Sequence, residues 1–240
     1  MLEGRRIVIT GGASGIGAAL MEMAAARGAQ VHCFDRVLPA AGVGTASIVD
    51  IANAEQIEFG VQEAAASMGG IDGLANVAGL SANAGTVAQT DLNAWRKIID
   101  VNLMGTLLVT AAVLPHLQRA NGASVVNVSS GAALRPFAGS GAYAAAKRGV
   151  LTLTQVWAME LGPDIRVNAV CPGAIDTPML RTRNVQSNSD GRSALTTDMY
   201  ALKRFGTADE VASAICFLLG ADASFITGAT LPVDGGRTYY

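Results

Sequence analysis

The sequence predicts an α/β protein: a doubly wound, mainly seven-stranded parallel sheet with helices on both faces. Three observations carry this. Short apolar strand-like runs alternate with longer helical segments along the chain, the pattern of parallel strands joined by right-handed crossovers. The first strand enters a helix through a glycine turn, TGGASGIG. Half of the 240 residues are hydrophobic, only 15% are charged, and 28 are glycine, which suits a packed core with tight turns. At this length, residues 1–240 read as one domain.

In chain order, Arg6–Thr10 (RIVIT) is a short buried strand and Thr10–Gly17 is the glycine turn. An alanine-rich helix follows to about Arg27. Strand, glycine turn and helix form the context of a dinucleotide fingerprint. Gly11, Gly15 and Gly17 permit a tight turn, close approach of backbone to pyrophosphate, and close packing of helix on strand. The helix N-terminus offers free N–H groups to phosphate. The spacing is G-x-x-x-G-x-G, and an ordinary βα turn could carry it.

Gln30–Phe34 is the second strand, ending at Asp35. A carboxylate at that distance from the glycines suits the adenosine ribose hydroxyls and would repel a 2′-phosphate, so NAD is expected over NADP. Arg36 complicates this, because an arginine there could meet a phosphate. A third strand, Ala46–Val49, leads to Asp50-Ile51, placed to flank an adenine. Asn53–Met68 is a helix with Asn53 as N-cap. Ile71–Asn76 is the fourth strand, and Ala78-Gly79 after it permits close backbone approach to a cofactor. Asp91–Leu117 is a long apolar helix with Asn102 in its middle, where propensity disfavours asparagine.

Ala123–Val128 is the fifth strand and delivers Ser129 and Ser130 to its carboxyl end, where ligands bind in open α/β sheets. Gly141–Leu161 is a helix and Asp164–Val170 the sixth strand, followed by CPGAIDTPM (171–179). The polar stretch 179–197 reads as a lid over the site. Thr207–Leu219 is the last helix and Thr230–Val233 the seventh strand.

Tyr143 and Lys147 sit one turn apart on a single helix face. A lysine ammonium beside a phenol favours the phenolate, which brings the pair within reach of general acid–base work. A serine from a neighbouring strand end could bind the same substrate oxygen. Alone, Y-x-x-x-K is a common helix pattern.

Other function classes are disfavoured. The net charge of −2 gives no basic footprint for nucleic acid. No apolar run is expected to approach the ~20 residues of a membrane span, and MLEGRRIVIT lacks a secretory core segment. Cys33, Cys171 and Cys216 are too scattered for a disulfide framework, which suggests free thiols in a reducing, cytoplasmic setting. His32 and His116 cannot build a usual zinc site with them, so no metal is expected.

Together these pieces resemble the classical short-chain dehydrogenases/reductases over essentially the whole chain. The matching segments are TGGASGIG (10–17), Asp35, Asp50, NVAG (76–79), Asn102, Ser130, YAAAK (143–147), PGAIDT (172–177) and VDGG (233–236). Val77 departs from the family's usual asparagine. The resemblance implies a Rossmann-like fold and a catalytic tetrad. In it Tyr143 exchanges the proton, Lys147 lowers its pKa and holds the nicotinamide ribose, Ser130 orients the substrate, and Asn102 supports a water connected to Lys147. The family's spacing selects Ser130 over Ser129. It implies NAD contacts from Gly11, Ser14, Gly15, Ile16, Gly17, Asp35, Asp50, Ile51, Asn76, Ala78, Gly79, Tyr143, Lys147, Pro172, Gly173, Ile175 and Thr177. Thr177 and the Ile175 backbone would hold the carboxamide. A homotetramer is also implied, with helices 91–117 and 143–161 at an interface.

The expected reaction interconverts a secondary alcohol and a ketone. Arg181, Arg183 and Arg192 in the lid region raise the possibility of a carboxylate partner, and CPGAIDTPMLRTR is similar to enzymes oxidising 3-hydroxybutyrate or related hydroxy acids. Three solvated surface arginines are the bland alternative. A neutral hydroxysteroid or cyclic or aryl alcohol in a cleft of Leu80, Leu134, Phe137 and Met179 is the second substrate class. A non-catalytic nucleotide sensor is the alternative of another kind, and such proteins typically lose the tyrosine or lysine.

Overall fold

The computed structural model describes residues 2–40, 42–82, 84–182 and 195–239. Seven parallel strands form one sheet in the order β3-β2-β1-β4-β5-β6-β7. They are β1 (Arg6–Thr10), β2 (Gln30–Asp35), β3 (Thr45–Ile48), β4 (Gly73–Asn76), β5 (Ala123–Val128), β6 (Ile165–Pro172) and β7 (Thr230–Val233). The order reverses between β1 and β4, and this switch point opens the crevice at the carboxyl ends of the strands.

The helices are α1 (Gly15–Ala26), α2 (Ala54–Met68), α3 (Leu92–Ile99), α4 (Gly105–Leu117), α5 (Gly131–Leu134), α6 (Gly141–Leu161) and α7 (Ala208–Leu219). One apolar layer joins α1 and α7 to one face of the sheet through Leu20, Val211 and Ile215. The other packs α2, α4 and α6 on the opposite face through Ile57, Val113 and Trp157. Buried aliphatic side chains on both faces explain why β1, β4 and β5 read as continuous apolar runs. Asn53 caps α2 by accepting from the Gln56 amide, and Thr207 with Glu210 forms a capping box at α7.

Two features depart from expectation. The long helix is interrupted: residues Asp100–Met104 form a π turn between α3 and α4. The helical stretch Leu92–Leu117, π turn included, is also long and apolar enough to cross a membrane by length and composition, contrary to the expectation of no such run. Val109, Val113 and Leu117 on it are fully buried in the core.

Candidate active site

The glycine turn is built by its backbone. Gly11 has φ +73°, and a Cβ there would lie 2.8 Å from the Ala78 Cα; a Cβ on Gly17 would lie 2.0 Å from the Gly11 carbonyl oxygen. The first pins the turn against the loop after β4. The second lets α1 begin directly over the turn. Thr10 Oγ1 accepts from the Val77 and Ala78 amides, both at 3.0 Å, and ties the same two loops together. Ser14 is the N-cap of α1, yet its side chain makes no capping bond. Its hydroxyl and the first amides of α1 are thus left to an anion.

These residues line a groove of about 540 Å³ with Gly15, Ile16, Asp35, Asp50, Ile51, Gly79 and Leu80. Asp35 Oδ2 accepts from the Ala13 amide at 3.0 Å and Oδ1 from the Arg36 amide at 2.7 Å, so its carboxylate is held at the groove's far end. Asp50 accepts from the Ala52 amide. The fit to a dinucleotide rests on a turn in which a Cβ on Gly11 or Gly17 would strike backbone, an uncapped helix start and a fixed carboxylate.

Asn76 does not line the groove. Its Nδ2 donates to Thr110 Oγ1 and to Asn127 Oδ1, and Asn127 Nδ2 donates to Thr154 Oγ1. The side chain therefore ties β4 and β5 to α4 and α6 beneath the site.

A second cavity of about 170 Å³ adjoins the groove. Ile16, Val77, Gly79, Thr177 and Met179 line both. Tyr143, Lys147, Ser130, Pro172, Gly173, Ile175 and Phe137 line this second cavity. Lys147 is buried, its Nζ donates to the Val128 carbonyl at 2.9 Å, and it lies 6.0 Å from the Tyr143 ring centroid. Burial pulls its pKa down to about 8, against a smaller upward pull from Cys171. At neutral pH it remains a cation.

The two serines separate by partner. Ser129 is buried and its Oγ donates to the Lys147 carbonyl at 2.7 Å. Ser130 is the N-cap of α5, accepting from the Ala132 amide at 3.1 Å, with its donor left over for a ligand.

Asn102 is fully buried in the π turn. Such a turn shifts backbone bonding by one residue, and Asn102 Nδ2 meets the Ile98 carbonyl at 2.9 Å. The same nitrogen donates to the Leu80 carbonyl at 2.8 Å, and Oδ1 accepts from the Leu80 amide at 3.1 Å. A Cβ on Gly79 would sit 3.0 Å from Asn102 Oδ1 and 3.4 Å from Lys147 Nζ. Asn102 thus fixes the loop that separates Lys147 from the groove.

Thr177 comes from the loop after β6, and a Cβ on Gly15 would lie 3.3 Å from its Cγ2. This contact closes the C-terminal half of the chain over the glycine turn. The hydroxyl of Tyr200, a residue that sequence reasoning missed, accepts from the Ala174 amide at 3.2 Å and steadies the same loop.

The proposed substrate contacts fare unevenly. Phe137 and Met179 line the second cavity, Leu80 lines the groove instead, and Leu134 lines neither, packing beside Ala133 and Leu151. Arg181 is exposed and paired with Asp176 at 3.0 Å. Arg183 and Arg192 lie outside the described residues, as does most of the expected lid; residues 178–182 are helical. Sequence reasoning also missed Arg135 and Arg237, which line the cavity from distant parts of the chain. No cluster of metal-ligating side chains occurs among the described residues.

Comparison with known proteins follows the same outline. A family model described as Enoyl-(Acyl carrier protein) reductase matches residues 11–238. A short-chain dehydrogenase/reductase, ABA4, of Pyricularia oryzae is 39% identical over 98% of this chain and 92% of its own. A 2,5-dichloro-2,5-cyclohexadiene-1,4-diol dehydrogenase of Sphingobium indicum is 36% identical over 99% and 98%. The ligand-free aldohexose dehydrogenase of Thermoplasma acidophilum superposes with a TM-score of 0.94 at 32% identity, covering 100% of this chain and 96% of that one. Among solved structures, a 3-ketoacyl-(acyl-carrier-protein) reductase of Brucella melitensis is complexed with NADH (TM-score 0.89, 30% identity, 99% and 100% covered). A short chain dehydrogenase of Burkholderia cenocepacia is in complex with NADP (TM-score 0.88, 32% identity, 98% of each chain).

Proposed function

This chain belongs to the short-chain dehydrogenase/reductase family, and on that premise we propose that it interconverts a secondary alcohol and a ketone with NAD(H). The observation that carries the reading is the junction of the two cavities: Tyr143, Lys147 and Ser130 face a small chamber that opens into a groove ending at Asp35. The bound nicotinamide supplies the carbon that accepts or returns hydride. In the oxidative direction the Tyr143 oxygen takes the hydroxyl proton, and in the reductive direction it gives one to the developing alkoxide. Lys147, cationic at neutral pH, favours negative charge on that oxygen. Ser130 donates to the substrate oxygen. Asn102 positions the Leu80 loop and supports a water leading from Lys147. Thr177 and the Ile175 backbone would hold the carboxamide.

Asp35 supports NAD over NADP, because a 2′-phosphate would meet its carboxylate. The reading extends to a cytoplasmic homotetramer in which the helices 92–117 and 141–161 meet their counterparts; Met104 and Met159 are exposed on them. The substrate is a small hydroxy acid such as 3-hydroxybutyrate, supported by a cavity that has no carboxylate among its described walls. The volume, below the roughly 300–1,000 Å³ of drug-sized sites, suits a small molecule. A neutral cyclic alcohol is the second reading, favoured by the apolar walls Phe137, Met179 and Leu180. A nucleotide sensor without turnover is disfavoured by the presence of both Tyr143 and Lys147. The test is NADH formation by the purified protein with carboxylated and neutral secondary alcohols. Tight NADH binding without turnover of either panel would leave the sensor reading standing.

A further inference from the structure

His32 is a buried titratable side chain that the chemistry above does not use. It stands on β2, and the neighbouring strand occupies both of its ring nitrogens. Nδ1 lies 2.7 Å from Thr45 Oγ1, and Nε2 lies 2.8 Å from Ser47 Oγ. Thr45 and Ser47 are two residues apart on β3, so they share one face of the sheet. The ladder pairs His32 with Thr45 and Phe34 with Ser47. The imidazole therefore bridges two successive positions on one face of the adjacent strand.

The hydroxyl protons assign the tautomer. Ser47 Oγ donates to the Glu63 carboxylate on α2, so Nε2 carries the ring proton and donates to Ser47. Ser67 Oγ, also on α2, donates to the Ala64 carbonyl at 3.0 Å, which leaves Thr45 as the donor to Nδ1. Burial holds the His32 pKa below its ordinary value, against an upward pull from Glu63, so the ring is uncharged at neutral pH.

The strand that His32 grips has little else to place it. β3 has four residues, forms an edge of the sheet and pairs with β2 alone. A two-stranded ladder of that length is marginal by itself. A slip of one residue would turn Thr45 and Ser47 to the opposite face and strip both ring nitrogens of their partners. Both strands lead into the far end of the groove. β2 ends at Asp35, and β3 ends just before Val49, Asp50 and Ile51, all of which line it. The Val49 amide donates to the Asp35 carbonyl at 2.8 Å, so the strand register passes directly into the groove wall.

We propose that His32 is a positioning residue for the adenosine end of the groove: through Thr45 and Ser47 it fixes the register of β3 against β2, and with it the placement of Asp50 and Ile51 opposite Asp35. The proposal rests on the dinucleotide reading above. His32 is not among the described walls of the groove and acts through residues that are.

The experiment measures NADH affinity by fluorescence titration, then displacement of NADH by 5′-AMP and by nicotinamide mononucleotide, which report on the two ends separately. His32→Leu is expected to weaken NADH and 5′-AMP binding by roughly 10-fold, and Thr45→Val, which keeps the shape of the side chain, by roughly 3-fold. Nicotinamide mononucleotide should bind as before in both. Thr45→Ser keeps the hydroxyl and should keep wild-type affinity for 5′-AMP. If His32→Leu does not fold, the two Thr45 variants decide the matter. Unchanged 5′-AMP affinity in Thr45→Val and in folded His32→Leu would overturn the positioning role and leave the nucleotide groove standing. An equal loss on 5′-AMP and nicotinamide mononucleotide would make the cluster a general structural one and also overturn it. A wild type that binds neither NADH nor 5′-AMP would overturn the dinucleotide reading and this role with it.

Discussion

The groove and the chamber are built by different means. The groove depends on backbone: Gly11 and Gly17 have no room for a side chain, Gly15 holds a φ of +55°, and most of the other walls follow β1, β2, β3 and β4 directly. The chamber depends on side chains gathered from Ser130, Arg135, Tyr143, Leu180, Tyr200 and Arg237. A backbone cradle tolerates little change and fixes one kind of ligand. A wall of side chains can vary while the frame stays. The same scaffold can therefore keep its cofactor chemistry and change its substrate.

The sharpest way to break this comparison is at the seam. Tyr143→Phe removes only a hydroxyl from the chamber. Turnover is expected to fall by roughly 10²–10⁴-fold, the usual worth of a positioned acid–base group. NADH affinity, measured by fluorescence titration, should hold within a few-fold. Unchanged turnover would refute Tyr143 as the proton donor.

Gly17→Ala should do the reverse. The added methyl meets the Gly11 carbonyl at 2.0 Å, a backbone atom that cannot swing away. Overpacking of this kind costs about 1–3 kcal/mol, or a Tm lower by roughly 2–12 °C in a domain of this size. NADH binding should weaken together with stability. A variant with normal Tm and normal affinity would show that the turn has room to relax.

The division between backbone and side chains also explains what could be read from the sequence. The parallel strands, most of the helices and the glycine turn were legible because each strand–turn–helix unit is local, and Asp35 follows its glycine turn within one such unit. Asn102 was suspicious as a mid-helix asparagine, but the π turn that gives it its bonds to Ile98 and Leu80 has no short-range signature. Asn76 belongs to the right motif, yet its alternation on β4 turns it inward to Thr110 and Asn127. Arg135 and Arg237 are 102 positions apart and meet only in the fold, where Arg135 Nη1 donates to the Arg237 carbonyl. Leu134, one residue before Arg135, faces the core. Adjacent positions on a short helix point different ways, and spacing alone does not say which reaches the ligand.

A smaller effect is expected from Asp35→Ala, which tests whether the groove owes its selectivity to one side chain. The carboxylate is fixed by the Ala13 and Arg36 amides, and under the proposed reading it would face the adenosine ribose. Its removal should lower the NAD-to-NADP ratio of kcat/KM by about 10-fold, or ~1.4 kcal/mol. An unchanged ratio would shift the selectivity to Arg36.

The smallest effect concerns Lys147, which lines the chamber and stands beside the loop that borders both regions: a Cβ on Gly79 would lie 3.4 Å from its Nζ. Burial lowers its pKa from 10.5 to about 8. Below pH 8 the folded and unfolded chains both carry the proton, and the folded chain bears the full cost of burying the charge. Between pH 8 and 10.5 the unfolded chain holds the proton and the folded chain has released it, so the wild type gains stability as pH rises. Lys147→Met cannot titrate. Its Tm minus that of the cofactor-free wild type should therefore be most positive below pH 8 and should decline toward pH 10.5, by on the order of a few degrees. The lost bond to Val128 adds an offset that does not change across this window. A flat difference would mean that Lys147 is solvated in the folded protein, and the seam between groove and chamber would then be open to water at the one point where a buried cation is needed.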